Sequence, residues 1–395
     1  EARVEGDPSR VTLTLKQGFL DPLALMTFKV LPRSANLERL DDPSFARKPV
    51  GSGPFAFKER KDDRVVLIAN HNYRPDARTR LPKIREIHFV VSKDPAAEFT
   101  DGRIQLLLDA PSALVPTLKT VRDVETTTTP IRRVWILAIN HRHPILQQQD
   151  LRRTLALGIH RTRILDEVFR GPLRGTAEPP HRPANGPYPA GAWAAKPEIP
   201  IELHDPGRAK LLAGKVKAQI RSARLTLKYP EGDPLAQKAC EAIRDQIKEL
   251  DAGLEIQPTP RPKRQLVREV EMEHDYDLAY HALDYADETY FLGPLFDTDP
   301  RALERGGRNF LGYRNDPTLQ GLLRNIAEHR EFSRVKEFTH TLHARLNETM
   351  PFVPLWQLDY HFAHHTALRL VPEPKRVDPA CLFRDAERWE LVRSR

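Results

Sequence analysis

The stretch from Leu225 to Ile256 constrains the fold of this chain more than any other. Leu225-Thr-Leu-Lys-Tyr229 alternates in strand fashion, and Asp233-Pro234 then opens a helical pattern. Leu235, Ala239, Ala242, Ile243, Ile247 and Leu250 fall on one face of about four turns. Gly253 closes that unit and Leu254-Glu-Ile256 begins a second strand. Strand, helix, strand at this spacing joins parallel neighbours, so the chain reads as α/β. The Asp-Pro pair has a mechanism. Aspartate accepts from the free N–H groups of a helix start, and proline is tolerated at the first helical position.

The same signal stands at Asp205-Pro206 and Asp316-Pro317. Further helices are expected at 151–169, after Asp150 as a cap, and at 319–329 and 334–346. The segment 171–200 is rich in Pro, Gly and Ala without periodicity and reads as a long surface connection. Residues 10–15 alternate as a strand, so close to the first residue that the sequence reads as mature, trimmed or partial.

With 395 residues there is room for two or three domains, and 40% hydrophobic with 29% charged residues is the composition of a soluble globular protein. No apolar run approaches the roughly 20 residues of a membrane helix, and no signal-peptide pattern opens the chain. The net charge of +8 raises nucleic acid as a partner. The distribution argues against it, because Lys and Arg are spread among 54 acidic residues and the densest basic run, Arg261-Pro-Lys-Arg264, is short. Cys240 and Cys381 are too few and too distant for a disulfide scaffold or a zinc site. Cys240 is expected buried on its helix, and a long-range disulfide stays open.

Lys48-Pro-Val-Gly-Ser-Gly-Pro-Phe-Ala-Phe57, followed by Arg64-Val-Val-Leu-Ile-Ala-Asn70 and Asn72-Tyr73-Arg74-Pro75, reads as a hairpin. Phe55 and Phe57 alternate on one side of a charged turn, and Val65, Leu67 and Ala69 on the other. Gly51 and Gly53 are expected to supply backbone angles closed to other residues. This stretch resembles a signature of the extracytoplasmic solute-binding proteins, family 5, which serve dipeptide, oligopeptide and nickel ABC importers. The likeness continues in order. Val134–Asn140 and Asp150–Arg161 are similar to the family's next segments, departing at His160 where aspartate is usual. His204–Leu212, Leu225–Gln257, Asp275–Tyr280 with Leu283-Asp-Tyr285, Asn309–Tyr313 and Met350–Trp356 follow.

The resemblance implies an α/β, two-lobed periplasmic-binding-protein-like (type II, cluster C) fold, with the family's N-terminal portion missing before residue 1. A first-lobe sheet would then lack strands, leaving an edge to be covered. It implies lobe one at 1–133 (partial), lobe two at 134–362 as the ligand-binding domain, and a return to lobe one at 363–395. The implied function is the substrate-binding component of an ABC importer, taking a peptide or other amine-bearing solute between the lobes by hinge closure. Partners would be that solute and a permease, with no nucleic acid and contact to a membrane only through the permease or a lipid anchor. The location would be periplasmic or extracytoplasmic and the state monomeric. Alternatives are the sensing module of a transcription regulator and a degenerate, non-binding fragment.

By the resemblance, Asp284 stands where peptide-binding members pair an aspartate with the ligand's α-ammonium. Tyr285 could line the same pocket, and His281 replaces a common tryptophan. From the residues alone, Asp284, Asp287 and Glu288 read as a helix cap or a solvated acidic loop. His340-x-x-His343 reads as solvated, opposite Phe338 and Leu342, and neither it nor His361-x-x-His364-His365 supplies three convergent metal ligands. Glu271-x-Glu273-His274 and Asp297-x-Asp299 read as solvated loops. No serine elbow, phosphate loop or His-Glu-x-x-His occurs, so no enzyme, cofactor or metal is expected.

Overall fold

The computed structural model describes residues 2–4, 11–15, 18–25, 47–74, 80–220, 222–299, 309–371 and 379–392. Arg10 and Pro75, each part of a segment read above, lie outside them. The chain divides into two compact units. The first comprises 1–27, 132–169 and 181–358, the second 28–131, 170–180 and 359–395.

The first unit is built on a six-stranded mixed sheet in the order Leu254–Arg261, Ala223–Pro230, Leu278–Asp284, Arg133–Ile139, Val353–Gln357, Arg182–Pro183. Ala223–Pro230 runs parallel to Leu254–Arg261, and the helix Pro234–Glu249 joins them, as the spacing predicts. Pro258 and Pro260 fall on the outermost strand, where a missing ladder donor is tolerated. Alternation along the strands feeds two cores. Leu137, Ile139, Leu225, Leu227, Leu278 and Tyr280 pack with the helices Gln149–Gly158 and Pro234–Glu249. Val134, Ile136, Ala138, Ala279 and Leu283 pack with Pro317–Glu328 and Phe332–Thr349. Both faces are therefore covered, which parallel pairing requires.

All three Asp-Pro signals start helices. Asp233 accepts from the N–H groups of Leu235 and Ala236 at 3.0 Å each, Asp316 from Leu319 at 3.0 Å and Asp205 from Arg208 at 2.9 Å. The expected helix 151–169 does not run through. Gln149–Gly158 ends in the extended residues Ile159 and His160, and the chain resumes as Arg161–Ile164 and a π-helical turn, Leu165–Phe169. Asp150 lies in the first turn, with Gln148 at the cap. At the break, His160 Nδ1 accepts from the Arg163 N–H at 3.3 Å, so the imidazole performs the capping role of an aspartate.

Two arginines of this segment explain its sequence. Arg152 donates to the carbonyls of Thr349 and Met350 at 2.8 Å each, satisfying the end of Phe332–Thr349. Arg161, with no exposed surface, donates to Pro354, Ile159 and Ala156 at 2.6, 3.1 and 3.0 Å. Burial lowers its pKa to about 10, against the opposing pull of Glu202, so it stays charged at neutral pH.

The stretch 171–200 departs furthest from its reading as a surface connection. From His181 onward it belongs to the first unit. Arg182–Pro183 pairs with the sheet, and Ala184, Tyr188 and Ala194 are core residues. Buried irregular backbone carries no periodic signal, and its polar groups are satisfied singly, as where Asn185 Nδ2 reaches the Ile199 carbonyl at 2.8 Å.

In the second unit, Phe55–Arg60 and Arg64–Ala69 form the expected hairpin, extended by Glu86–Val90. Gly51 and Gly53 do not adopt positive φ, and a Cβ at either would meet nothing within 4 Å. Their expected conformational role is absent, and the bonds lie elsewhere. Asn70 Nδ2 donates to the Gly53 carbonyl and Asn70 N–H to the Pro54 carbonyl, both at 2.8 Å, closing the open end of the hairpin. A second sheet has the order Leu106–Leu107, Tyr360–His365, Val124–Thr129, and Leu368–Arg369 pairs with Glu390–Leu391. Cys240 is a buried free thiol whose pKa burial pushes up; the side chain of Cys381 is outside those described.

Candidate functional site

Asp284 ends the Leu278–Asp284 strand opposite Arg133, and its carboxylate pairs with the Arg133 guanidinium. The side chain is 61% exposed. The neighbouring carboxylates are also engaged. Glu288 pairs with Arg132 at 3.4 Å, and Asp287 accepts from the Thr289 N–H and hydroxyl at 2.8 and 2.5 Å. This acidic rim lies where the chain passes from the second unit into the first, at Ile131 and Arg132.

Below the rim is an aromatic group. The Tyr285 hydroxyl donates to the Pro187 carbonyl at 2.9 Å, and its ring lies 5.1 Å from Tyr290. Tyr290 in turn meets Tyr188 and Trp193 at 6.2 and 6.1 Å, and Trp193 Nε1 donates to the Glu288 carbonyl at 2.7 Å. Burial raises the Tyr285 pKa well above its ordinary value, so the hydroxyl remains a donor. Tyr188, Tyr290 and Trp193 were not among the site residues read from sequence. Their signal was present, since Tyr188 and Trp193 are large aromatics in a Pro- and Gly-rich segment.

His281 is brought elsewhere. Residues of even number from 278 to 284 share one face of the strand and odd ones the other, so His281 and Asp284 point to opposite faces. His281 Nε2 lies 3.3 Å from Glu271, and its ring meets Phe310 edge-on at 5.0 Å. Glu271 and Glu273 stand on a π-helical turn, Glu269–Glu273, in place of the expected loop.

The helix Phe332–Thr349 overturns the reading of solvated histidines. Its buried stripe is wide enough to take in His343 beside Leu342 and Leu346, leaving His343 with no exposed surface. His343 Nδ1 accepts from the Lys196 N–H at 2.9 Å, and burial lowers its pKa to about 4. His340 Nε2 donates to the Trp193 carbonyl at 2.9 Å. In the second unit, His361 lies between the Ser112 and Thr128 hydroxyls at 3.0 and 2.9 Å, and burial holds its pKa at about 4. Among the described residues no group of three or more His, Cys, Asp or Glu is arranged to hold a metal ion. No helix of the described residues is long and apolar enough to cross a membrane.

The first unit is thus a mixed sheet packed on both faces by helices, with a polar rim at one strand end. Solved structures agree on the fold. The oligopeptide-binding protein AppA of Bacillus subtilis, solved with a nonapeptide, superposes with a TM-score of 0.80 at 19% identity, over 99% of this chain and 78% of that one. DppA of Helicobacter pylori, solved with the peptide STSA, also scores 0.80, at 15% identity, over 100% and 74%. Residues 2–302 match the family described as Bacterial extracellular solute-binding proteins, family 5 Middle, and the chain belongs to that family. A probable di/tripeptide-binding protein 5 of Pseudomonas aeruginosa is 28% identical over 333 residues, 82% of this chain and 57% of that protein. The chain thus spans somewhat over half the length of the curated relatives it matches, with 59% and 56% for the next two.

Proposed function

We propose that this chain is the larger part of an extracytoplasmic receptor that binds a short peptide or other amine-bearing solute and delivers it to an ABC permease. The observation that carries this reading is the family match across residues 2–302, together with relatives named for di- and tripeptides. Binding is non-covalent, by selection of a ligand-stabilised state, and the receptor acts as a monomer without nucleic acid. The sensing-module alternative finds no support in the names of the relatives.

Asp284 is the proposed anchor for the ligand's ammonium. Its carboxylate is largely exposed at the rim of the first unit, and two oxygens allow a second cation beside Arg133. An exposed ion pair contributes little to folding, so sharing it with a ligand costs little stability. Tyr285 supports the rim through Pro187, and His281 acts from the opposite strand face through Glu271. The test is a thermal-shift series with di- to pentapeptides against their N-acetylated forms. A ligand that binds only the folded chain raises the midpoint with its excess over Kd. Shifts given by free peptides and absent with acetylated ones support the ammonium anchor, and equal shifts remove it.

A further inference from the structure

Among the described helices of ten or more residues, Pro206–Ile220 alone carries no acidic side chain. Its charges are Arg208, Lys210, Lys215 and Lys217. Pro234–Glu249, by contrast, has the ordinary solvated pattern, with both signs interspersed and Arg244 paired with Asp245 at 2.8 Å. The core takes only one side of Pro206–Ile220. Ala209, Leu212, Ala213 and Val216 are buried, with Ala209 and Ala213 packed against Leu250 and Ala252. At about 3.6 residues per turn, Leu211, Gly214 and Ala218 then fall on the line furthest from that core. Lys210 and Lys217 flank the line on one side, Arg208 and Lys215 on the other. All seven are exposed, Leu211 by 66%, and a Cβ at Gly214 would meet nothing within 4 Å.

The cations are poorly compensated. Lys217 pairs with Asp251 at 2.6 Å, and that carboxylate is itself 80% exposed. Arg208, Lys210 and Lys215 have no acidic partner among the described residues. Like charges gathered on one face repel one another, and an opposing anionic surface relieves that repulsion. The shape of the face selects the kind of surface. It is about 22 Å long and about 10 Å wide, on the order of 200 Å², against about 800 Å² per partner in a specific protein interface. It offers no aromatic anchor, and a second copy pressed on the same face would set four cations against four. A lipid surface needs neither large area nor shape complementarity. Headgroup phosphates meet the cations at the ends of their flexible stems, and the apolar line between them approaches the headgroup layer.

We propose that the outer face of Pro206–Ile220 docks on a membrane surface bearing anionic lipid headgroups. Arg208, Lys210, Lys215 and Lys217 pair with phosphates, and Leu211 enters between the headgroups. This is a contact made by the chain itself, beyond the permease or lipid anchor that the resemblance implies. It lies in the first unit alone and does not depend on the ammonium site at Asp284.

Co-sedimentation with vesicles tests it, comparing phosphatidylcholine alone with phosphatidylcholine containing about one-third phosphatidylglycerol. The 395-residue chain is expected to bind only the anionic vesicles, and to release them as salt rises. Each cation near such a surface is worth roughly fivefold in affinity, so Lys210→Glu with Lys215→Glu should weaken binding at least tenfold. Lys263→Glu with Arg264→Glu makes the same change in net charge at exposed positions on another helix, and should weaken binding no more than about threefold. Leu211→Ser, which leaves the charge alone, should weaken it roughly fivefold. Thermal midpoints of all variants are expected to match that of the unaltered chain, since every position is exposed. Equal binding to both kinds of vesicle, binding to neither, or equal losses in the two double variants would overturn the proposal. So would a DNA duplex bound as tightly as the anionic vesicles with Leu211→Ser affecting neither, since the face would then serve any polyanion.

Discussion

Arg161 places a full charge in the core with carbonyl oxygens for company and Glu202 at 3.7 Å. Three carbonyls depend on it, two of them around the break after Gly158 and one on the Val353–Gln357 strand. Arg161→Met should therefore destabilise the chain by about 3 kcal/mol, because it strands buried acceptors while removing one desolvated charge. A urea melt reads this, and a change below about 1 kcal/mol would mean the carbonyls find water instead. At this scale the sequence was informative where the signal is local. Asp233, Asp316 and Asp205 could be read as caps because the cap and the capped N–H lie two or three residues apart. His343 could not, because its burial is decided by Lys196, Tyr188 and Gly186, all about 150 residues away. The glycines of the 48–57 motif misled for the converse reason: a local rule was applied where the structure makes no use of it.

At the scale of elements, the strand–helix–strand unit at 223–261 was legible because both periods, two and 3.6, are written in one short stretch. The break at Ile159 and His160 was not, since apolar spacing continues across it and only the His160 cap marks the new start. His160→Asn, which keeps a capping acceptor, should leave stability within about 0.5 kcal/mol, while His160→Ala should cost about 1 kcal/mol. Equal losses in the two variants would assign the role of His160 to its stacking on His204, whose ring lies 4.4 Å away. Of the candidate site, Asp284 and Tyr285 were legible only through the family likeness, and their aromatic neighbours Tyr188 and Trp193 were hidden in a segment without period.

For the whole molecule, three buried histidines set a pH dependence. His141, His343 and His361 are each held neutral by burial, with pKa lowered to about 4. Their unfolded imidazoles take up protons near pH 6.5, so between there and pH 4 the unfolded chain binds more protons and stability falls as pH falls. Each contributes up to roughly 3 kcal/mol above pH 6.5, all of it lost below pH 4. Thermal midpoints should drop steadily from pH 6.5 to 4, and His343→Leu should flatten part of that slope. A midpoint constant over this range would show that the imidazoles reach water or a counter-charge.

The most direct measurement is isothermal titration of a tripeptide into this chain and into Asp284→Asn, each repeated with the N-acetylated peptide. The expected result is a saturable heat with the free peptide that weakens at least tenfold on either removal of the ammonium or neutralisation of Asp284. The two losses should not add, since each removes the same charge pair. Tight binding that survives both changes would contradict Asp284 as the anchor. No binding of any peptide by a cooperatively folded chain would contradict its reading as a peptide receptor.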